Sequence, residues 1–168
     1  EPVRMRCIMT IQAVIERGRH AAEGIPHSLI ALIARVAAGG VFWRSGQTKV
    51  NGFALREETF YLFREDYKVP LLPPDLAAYL ATISEHVFPI LLVIGFVTRL
   101  SALGLLCMTL VIQIFVVPGG WPEHLLWFAL LLLIVARGPG AISLDHLIRN
   151  GIASPSMVIA SITSSVKS

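Results

Sequence analysis

Three ionisable residues stand out because they lie inside apolar stretches of the sequence. Arg35 lies about seven residues inside the run that begins at Ser28, and Glu85 and His86 lie near the middle of a second run, residues 75–97. Placing a charged side chain at the centre of a membrane helix costs about 2.5 to 3.5 kcal/mol even on lenient scales, so such a residue must face other helices. Ionisable residues buried in a membrane helix are functional candidates by default, which makes Arg35, Glu85 and His86 our candidate catalytic residues.

The sequence also predicts a partner for Arg35. From the helix rise, its depth and that of Glu85 agree to within about 8 Å, which two long side chains can bridge. We therefore expect an Arg35–Glu85 ion pair inside the protein, because an unpaired carboxylate would take up a proton on desolvation. His86 points about 100° away from Glu85 on a helix. It is either a third member of this cluster or a histidine satisfied by a backbone or hydroxyl group.

Four apolar stretches could position these residues. They cover about residues 28–46, 75–97, 100–117 and 121–137, and a helix of roughly 20 apolar residues crosses a bilayer. The composition agrees, with 55% hydrophobic and 15% charged residues, against about 25% charged in ordinary soluble domains. The predicted fold class is all-α, an integral membrane four-helix bundle forming one domain over residues 1–150, followed by a C-terminal tail over 151–168.

Short amphipathic segments flank these helices. Residues 7–23, part of the loop 50–74, and residues 143–150 each combine apolar side chains with charged ones in a pattern typical of interfacial helices. The first is equally well explained as a frayed terminal helix. For the second, an interfacial helix is favoured over a solvated loop with an aromatic rim. The tail has no clear period, so we expect it to be poorly ordered or held by a partner.

Aromatic and basic residues mark the predicted outer edge of the bundle. Trp43, Lys49 and Trp121 lie there, so we treat them as candidate cofactor-binding residues that line the approach to the buried cluster. Cys7 and Cys107 are a hundred residues apart without a CxxC motif, which argues against a zinc or thiol redox site. No metal site is predicted.

The distribution of charge predicts the topology. With the N-terminus inside, cytoplasmic segments carry eight basic residues, whereas outer segments carry five basic and six acidic ones. The positive-inside rule then places both termini in the cytoplasm of a bacterial inner membrane. The net charge is +3, but the basic residues are not clustered as a nucleic-acid footprint requires, so no nucleic-acid partner is expected.

Several short motifs occur in a characteristic order. They are the Arg35 helix, its edge Ser45-Gly46 with Lys49, the loop prolines Pro70 and Pro73, Glu85, the turn Gly95 to Thr98-Arg99, and the stop Gly138-Pro139-Gly140. Over about residues 27–147 this order resembles the DoxX family of small bacterial four-helix membrane proteins. The resemblance implies an inner-membrane protein that works beside other gene products. Some relatives are the membrane subunit of thiosulfate:quinone oxidoreductase, others belong to oxidoreductase-linked assemblies, and some accompany peptide-modifying or metal-stress proteins.

Three functions are compatible with these features. The first is a membrane subunit of a redox-linked complex that contacts quinone, its cofactor, or relays protons through Arg35, Glu85 and His86. The second is a non-catalytic membrane anchor or assembly factor, in which the ion pair is structural. The third is transport of a small ion or metal, collected by Glu57, Glu58, Glu123 and His124. The expected partners are the lipid bilayer and a protein partner or a second copy of the chain, and whether the protein is an enzyme stays open.

Overall fold

Four long helices form the protein in a computed structural model that describes residues 12, 15–20, 23–67, 69, 70 and 72–151. Helix α1 is His27–Lys49, α2 is Pro74–Ile94, α3 is Thr98–Val111 and α4 is Trp121–Arg137. A π-helical turn, Ile112–Val116, prolongs α3. Helices α1 and α3 each pack against both α2 and α4, so the four make a bundle. The predicted all-α fold class is confirmed.

Three of the four helices have the length and composition of membrane spans. Helices α1 and α2, and α3 with its π-helical turn, are long and apolar enough to cross a membrane. Helix α4 has 17 residues, and its bounds agree with those of the fourth helix that the sequence predicts. Because their outward side chains are apolar and exposed, these helices contact lipid. The chain is therefore an all-α integral membrane protein.

Small residues set the register of α1 against α2. A Cβ at Gly39 would lie 2.8 Å from a Val93 methyl group, and a Cβ at Gly46 would lie 3.2 Å from Cβ of Glu85. Glycine at these positions lets the two backbones approach closely, as small residues do in membrane helix pairs. This register puts Gly46 opposite Glu85 and leaves Arg35 about eleven residues, or roughly 16 Å, further along α1.

The connection between α1 and α2 contains a β-hairpin that the sequence did not predict. Strand β1, Val50–Asn51, pairs antiparallel with β2, Ala54–Leu55. A short helix, Glu57–Tyr61, and a π-helical turn, Leu62–Tyr67, follow it. We call Glu57–Tyr67 the loop helix. Its buried Phe63 packs against two alanines of α2, and the helix that the sequence predicts in this loop is present.

The opposite end of the bundle is closed by the Gly138-Pro139-Gly140 turn. Helix α4 ends at Arg137 as predicted, and residues 144–151 form the predicted short helix after it. We call this the Gly138 end and the other the hairpin end. Residues 15–20 are helical, but most of the predicted N-terminal helix, 7–23, and the tail from residue 152 lie outside the described residues.

Candidate functional site

A cavity of about 480 Å³ lies among the helices at the hairpin end. Its walls come from all four long helices and from the loop helix. Most of the lining is apolar, and the apolar side chains include Val41, Phe42, Phe63, Leu80, Met108 and Trp127. The polar side chains that line it are Ser45, Lys49, Tyr67, Ser84, Glu85, Glu123 and His124. Apolar walls with a few polar groups are typical of small-molecule sites.

A buried ion pair lies in the wall of this cavity. Lys49 Nζ lies 2.7 Å from Glu85 Oε2 and 2.9 Å from Oε1. The Glu85 side chain is 3% exposed and that of Lys49 is 13% exposed. Ser45 and Lys49 are four residues apart, so both project from the same face of α1 toward Glu85.

The hydrogen bonds around this pair leave one oxygen of the Glu85 carboxylate able to accept a further hydrogen bond. Lys49 also donates to Ser45 Oγ at 3.1 Å, so its ammonium has a partner for each of its three hydrogens. Glu85 Oε1 accepts from both Lys49 and Ser45, whereas Oε2 accepts from Lys49 alone within the described part of the chain. Since each carboxylate oxygen has two acceptor positions, Oε2 can take a further donor from the cavity.

Tyr67 brings a hydroxyl group from the loop helix to the same cavity. Burial, followed by the negative charges of Glu85 and Asp66, raises the pKa of Tyr67. The phenol therefore stays protonated over the physiological range and can donate a hydrogen bond to a ligand.

His124 occupies the wall on α4. It is 5% exposed, and its Nδ1 lies 2.7 Å from Gln113 Oε1. Gln113 Nε2 donates to the Pro118 carbonyl at 2.7 Å, which assigns the amide oxygen to His124. Nδ1 of His124 therefore carries a hydrogen and donates it to Gln113. Gln113 thus connects the π-helical turn after α3 to α4.

The predicted Arg35–Glu85 ion pair is wrong. Arg35 is fully buried, but its Nη1 donates to the carbonyls of Val93 (2.9 Å) and Leu92 (3.4 Å), and its Nη2 donates to that of Ile142. The last carbonyls of a helix have no partner within the helix, and a cation there is favourable. Arg35 thus closes the end of α2 and ties it to the turn before Ser143. Glu85 lies nearer the hairpin end, where Lys49 reaches it.

His86 and Trp43 form a separate pair on the outside of the α1–α2 contact. His86 Nδ1 lies 2.7 Å from the Thr82 carbonyl oxygen. The centroid of the His86 ring lies 5.1 Å from that of Trp43, and the two rings are packed edge to face. This is the histidine satisfied by backbone that the sequence left open as an alternative. Trp121 is 59% exposed on α4. Arg35, His86, Trp43 and Trp121 do not line the cavity, so of the six predicted site residues the structure brings together Glu85 and Lys49.

Sequence reasoning missed several cavity residues. Ser45 and Tyr67 carry common side chains in positions that look like a helix edge and a loop. His124 was considered only as part of an ion-collecting set, although a histidine and Gln113 inside apolar helices are a usable signal. Within the described ranges no group of three or more His, Cys, Asp or Glu side chains could hold a metal ion.

Comparison with known proteins identifies the family of this chain. Residues 30–118 match DoxX. The chain belongs to the DoxX family. Lys49 and Glu85 both fall inside the matched segment, and His124 follows it. The chain is also similar to an uncharacterized protein of Haemophilus influenzae, with 31% identity over 140 residues that cover 76% of this chain and 88% of the relative. No solved structure matches it.

Proposed function

We propose that this DoxX-family protein is the membrane subunit of a redox-linked complex, and that its cavity holds a quinone beside the Lys49–Glu85 ion pair. The observation that supports the proposal is the combination of a mostly apolar cavity with a buried ion pair in its wall. An ionisable pair inside a membrane protein is a functional candidate by default.

The residues of the cavity suit a quinone. Its volume, about 480 Å³, lies within the usual range for small-molecule sites, roughly 300 to 1,000 Å³. Tyr67 can donate to a ring carbonyl, and Glu85 Oε2 can accept from a ring hydroxyl of the reduced form. Leu72, Leu80 and Val117 line the cavity and are 40%, 45% and 47% exposed. An apolar tail can therefore leave past them toward lipid.

The roles of the chain's own residues follow from their contacts. A bound quinone would supply two-electron, two-proton chemistry, with electrons exchanged with the partner protein. Lys49 and Ser45 keep Glu85 Oε1 occupied, so Oε2 is the atom that takes a proton from the ligand. Gln113 accepts a hydrogen bond from Nδ1 of His124 and so holds this ring in the α4 wall of the cavity. Arg35 acts at a distance, by fixing the end of α2.

We extend the proposal to orientation. The hairpin end faces away from the cytoplasm of a bacterial inner membrane, and both termini are cytoplasmic. The arginines at the Gly138 end, Arg99, Arg137 and Arg149, support this placement through the positive-inside rule. The cavity would then open toward the outer leaflet.

A second candidate is a membrane anchor or assembly factor without chemistry. The observation that favours it is that all three hydrogens of the Lys49 ammonium have partners within the protein. Such a pair can serve only to join α1 to α2 in one register, as buried polar groups do in some proteins. The protein partner would then contact the loop helix or the tail.

Ligand titration separates the two candidates. Trp127 lines the cavity, so a short-tailed quinone bound there should quench its fluorescence in the detergent-purified protein. Trp43→Phe and Trp121→Phe remove the other two tryptophans. A saturable quench that Glu85→Gln weakens, and that Glu57→Gln on the exposed loop helix leaves unchanged, supports the quinone site. Linear, non-saturating quenching in both variants supports the anchor.

A further inference from the structure

A second, separate groove of about 680 Å³ lies at the Gly138 end of the bundle. Its walls are the start of α1, the turn between α2 and α3, the Gly138-Pro139-Gly140 turn and the helix 144–151. None of these segments contributes to the Lys49–Glu85 cavity.

Three arginines from three different segments line this groove. Arg99 belongs to the first turn of α3, Arg137 to the last turn of α4, and Arg149 to the helix 144–151. All three are exposed, and none forms a salt bridge with any of the residues that the structure describes. Those residues include every acidic side chain of the sequence except Glu1.

Asp145 is the one carboxylate among the described residues that line the groove, and it is already engaged. Asp145 Oδ1 accepts from the Val97 amide at 2.8 Å, and Oδ2 accepts from the amide and hydroxyl of Thr98 at 2.9 and 2.7 Å. The buried Arg35 also acts on Asp145 through its charge. Asp145 therefore makes its hydrogen bonds to the start of α3, and the described lining of the groove keeps a net positive charge, with three arginines against one aspartate.

The glycine turn holds the groove in shape. Gly138 and Gly140 have φ angles of +79° and +78°, which favour glycine. A Cβ at Gly140 would lie 2.8 Å from Cα of Ser28, and a Cβ at Gly138 would lie 3.4 Å from Nη2 of Arg99. The turn thus packs closely against α1 on one side and against Arg99 on the other. The Ala141 amide also donates a hydrogen bond to Ser28 Oγ at 2.9 Å.

We infer that this groove binds the phosphate group of an anionic phospholipid at the headgroup level. Guanidinium groups bind phosphate oxygens in a fixed, often bidentate geometry, and basic pockets between membrane helices recognise anionic headgroups. The apolar border favours a lipid over a soluble phosphate. Leu100 and Val97 line the groove and are 62% and 40% exposed, so an acyl chain can lie beside the bound headgroup.

The shift in unfolding temperature on adding ligand tests this inference. The full chain, purified in a neutral detergent, is titrated with dioleoyl-phosphatidylglycerol, with dioleoyl-phosphatidylcholine, and with glycerol 3-phosphate as the soluble phosphate. The test variant is Arg99→Gln with Arg137→Gln. The control is Arg44→Gln with Arg56→Gln, which removes the same charge at the hairpin end.

We expect phosphatidylglycerol to stabilise the protein more than phosphatidylcholine. The apparent affinity should fall about fivefold for each arginine removed, or roughly 25-fold for the test variant, and should stay unchanged in the control. If glycerol 3-phosphate protects equally well with the same arginine dependence, the phosphate site stands and its ligand is soluble. Equal stabilisation by both lipids, or equal phosphatidylglycerol affinity in the two double variants, would overturn the inference.

Discussion

Lys49 Nζ and Glu85 Oε2 lie 2.7 Å apart and join the last turn of α1 to the middle of α2. Glu85 is nearly inaccessible at 3% exposure, and Lys49 is little more exposed at 13%. Two charges removed from water in this way depend on each other, because losing one leaves the other uncompensated. The pair therefore joins α1 to α2 and also places two charged groups in the wall of the cavity.

Removing one partner of this pair should lower the free energy of unfolding more than removing both partners. We expect Lys49→Met to destabilise the protein by about 3 to 5 kcal/mol, because Glu85 is left buried and unpaired. Adding Glu85→Leu should restore much of that loss, since no charge then remains. Reversible unfolding in mixed micelles measures both variants. Asp75→Asn, which breaks the exposed Arg64–Asp75 pair, is the control and should change little. A double variant less stable than Lys49→Met would contradict the ion pair.

Arg35 and Glu85 should behave as independent sites. They share no partner, because Arg35 donates to backbone carbonyls and Glu85 accepts from Lys49 and Ser45. Arg35→Leu should destabilise by about 1 to 3 kcal/mol for each carbonyl left unsatisfied. In a double-mutant cycle with Glu85→Gln, the two losses should add to within about 0.5 kcal/mol. A larger coupling energy would mean that the two groups interact after all.

Glycine is required at one position of α1 and not at another. A Cβ at Gly46 would lie 2.8 Å from Cε1 of His86, whereas a Cβ at Gly40 would meet nothing within 4 Å. Gly46→Ala should therefore push α1 from α2 beside the ion pair and cost about 1 to 3 kcal/mol. Gly40→Ala is the matched control, and it should be neutral or stabilise by up to about 1 kcal/mol through helix propensity. Equal effects of the two substitutions would argue against the close α1–α2 contact.

The Gly138 end should loosen in acid because of Asp145. Burial acts to raise its pKa, but hydrogen bonds from Thr98 and Val97, with the charge of Arg35, outweigh burial and lower it below the ordinary value. A carboxyl whose pKa is lower in the folded state stabilises fully above its unfolded pKa, about 3.9, and loses that contribution as pH falls through the folded value. The stability difference between wild type and Asp145→Asn should thus shrink below about pH 4. The exposed Asp66→Asn variant provides the baseline, and a difference that does not depend on pH would refute the assignment.

The helices could be predicted from the sequence because their signals are local. Apolar runs bounded by Gly and Pro placed the four helices within about three residues of His27–Lys49, Pro74–Ile94, Thr98–Val116 and Trp121–Arg137. These limits depend on composition over a window and not on contacts between helices.

The partners of buried groups could not be predicted in the same way. Which side chain contacts Glu85 depends on the register of α1 against α2. The predicted helix ended at residue 46, so Lys49 was placed outside it and was not considered as a partner of Glu85. The hydrogen-bond acceptors of Arg35 are backbone carbonyls, and every residue has one, so the residue types do not indicate them. His124 is held in the cavity wall by Gln113, eleven positions earlier, and this contact depends on how α4 packs against α3.

Photolabelling is the most direct test of the quinone site. A short-tailed azidoquinone is irradiated with the purified protein, and the labelled peptides are identified by mass spectrometry. We predict labels on cavity residues such as Leu80, Met108 and Trp127, suppressed by excess unlabelled quinone and reduced by Glu85→Gln. Labels confined to the outward-facing Trp43 and Trp121, or a cavity label that excess quinone does not suppress, would contradict a quinone site beside Lys49 and Glu85.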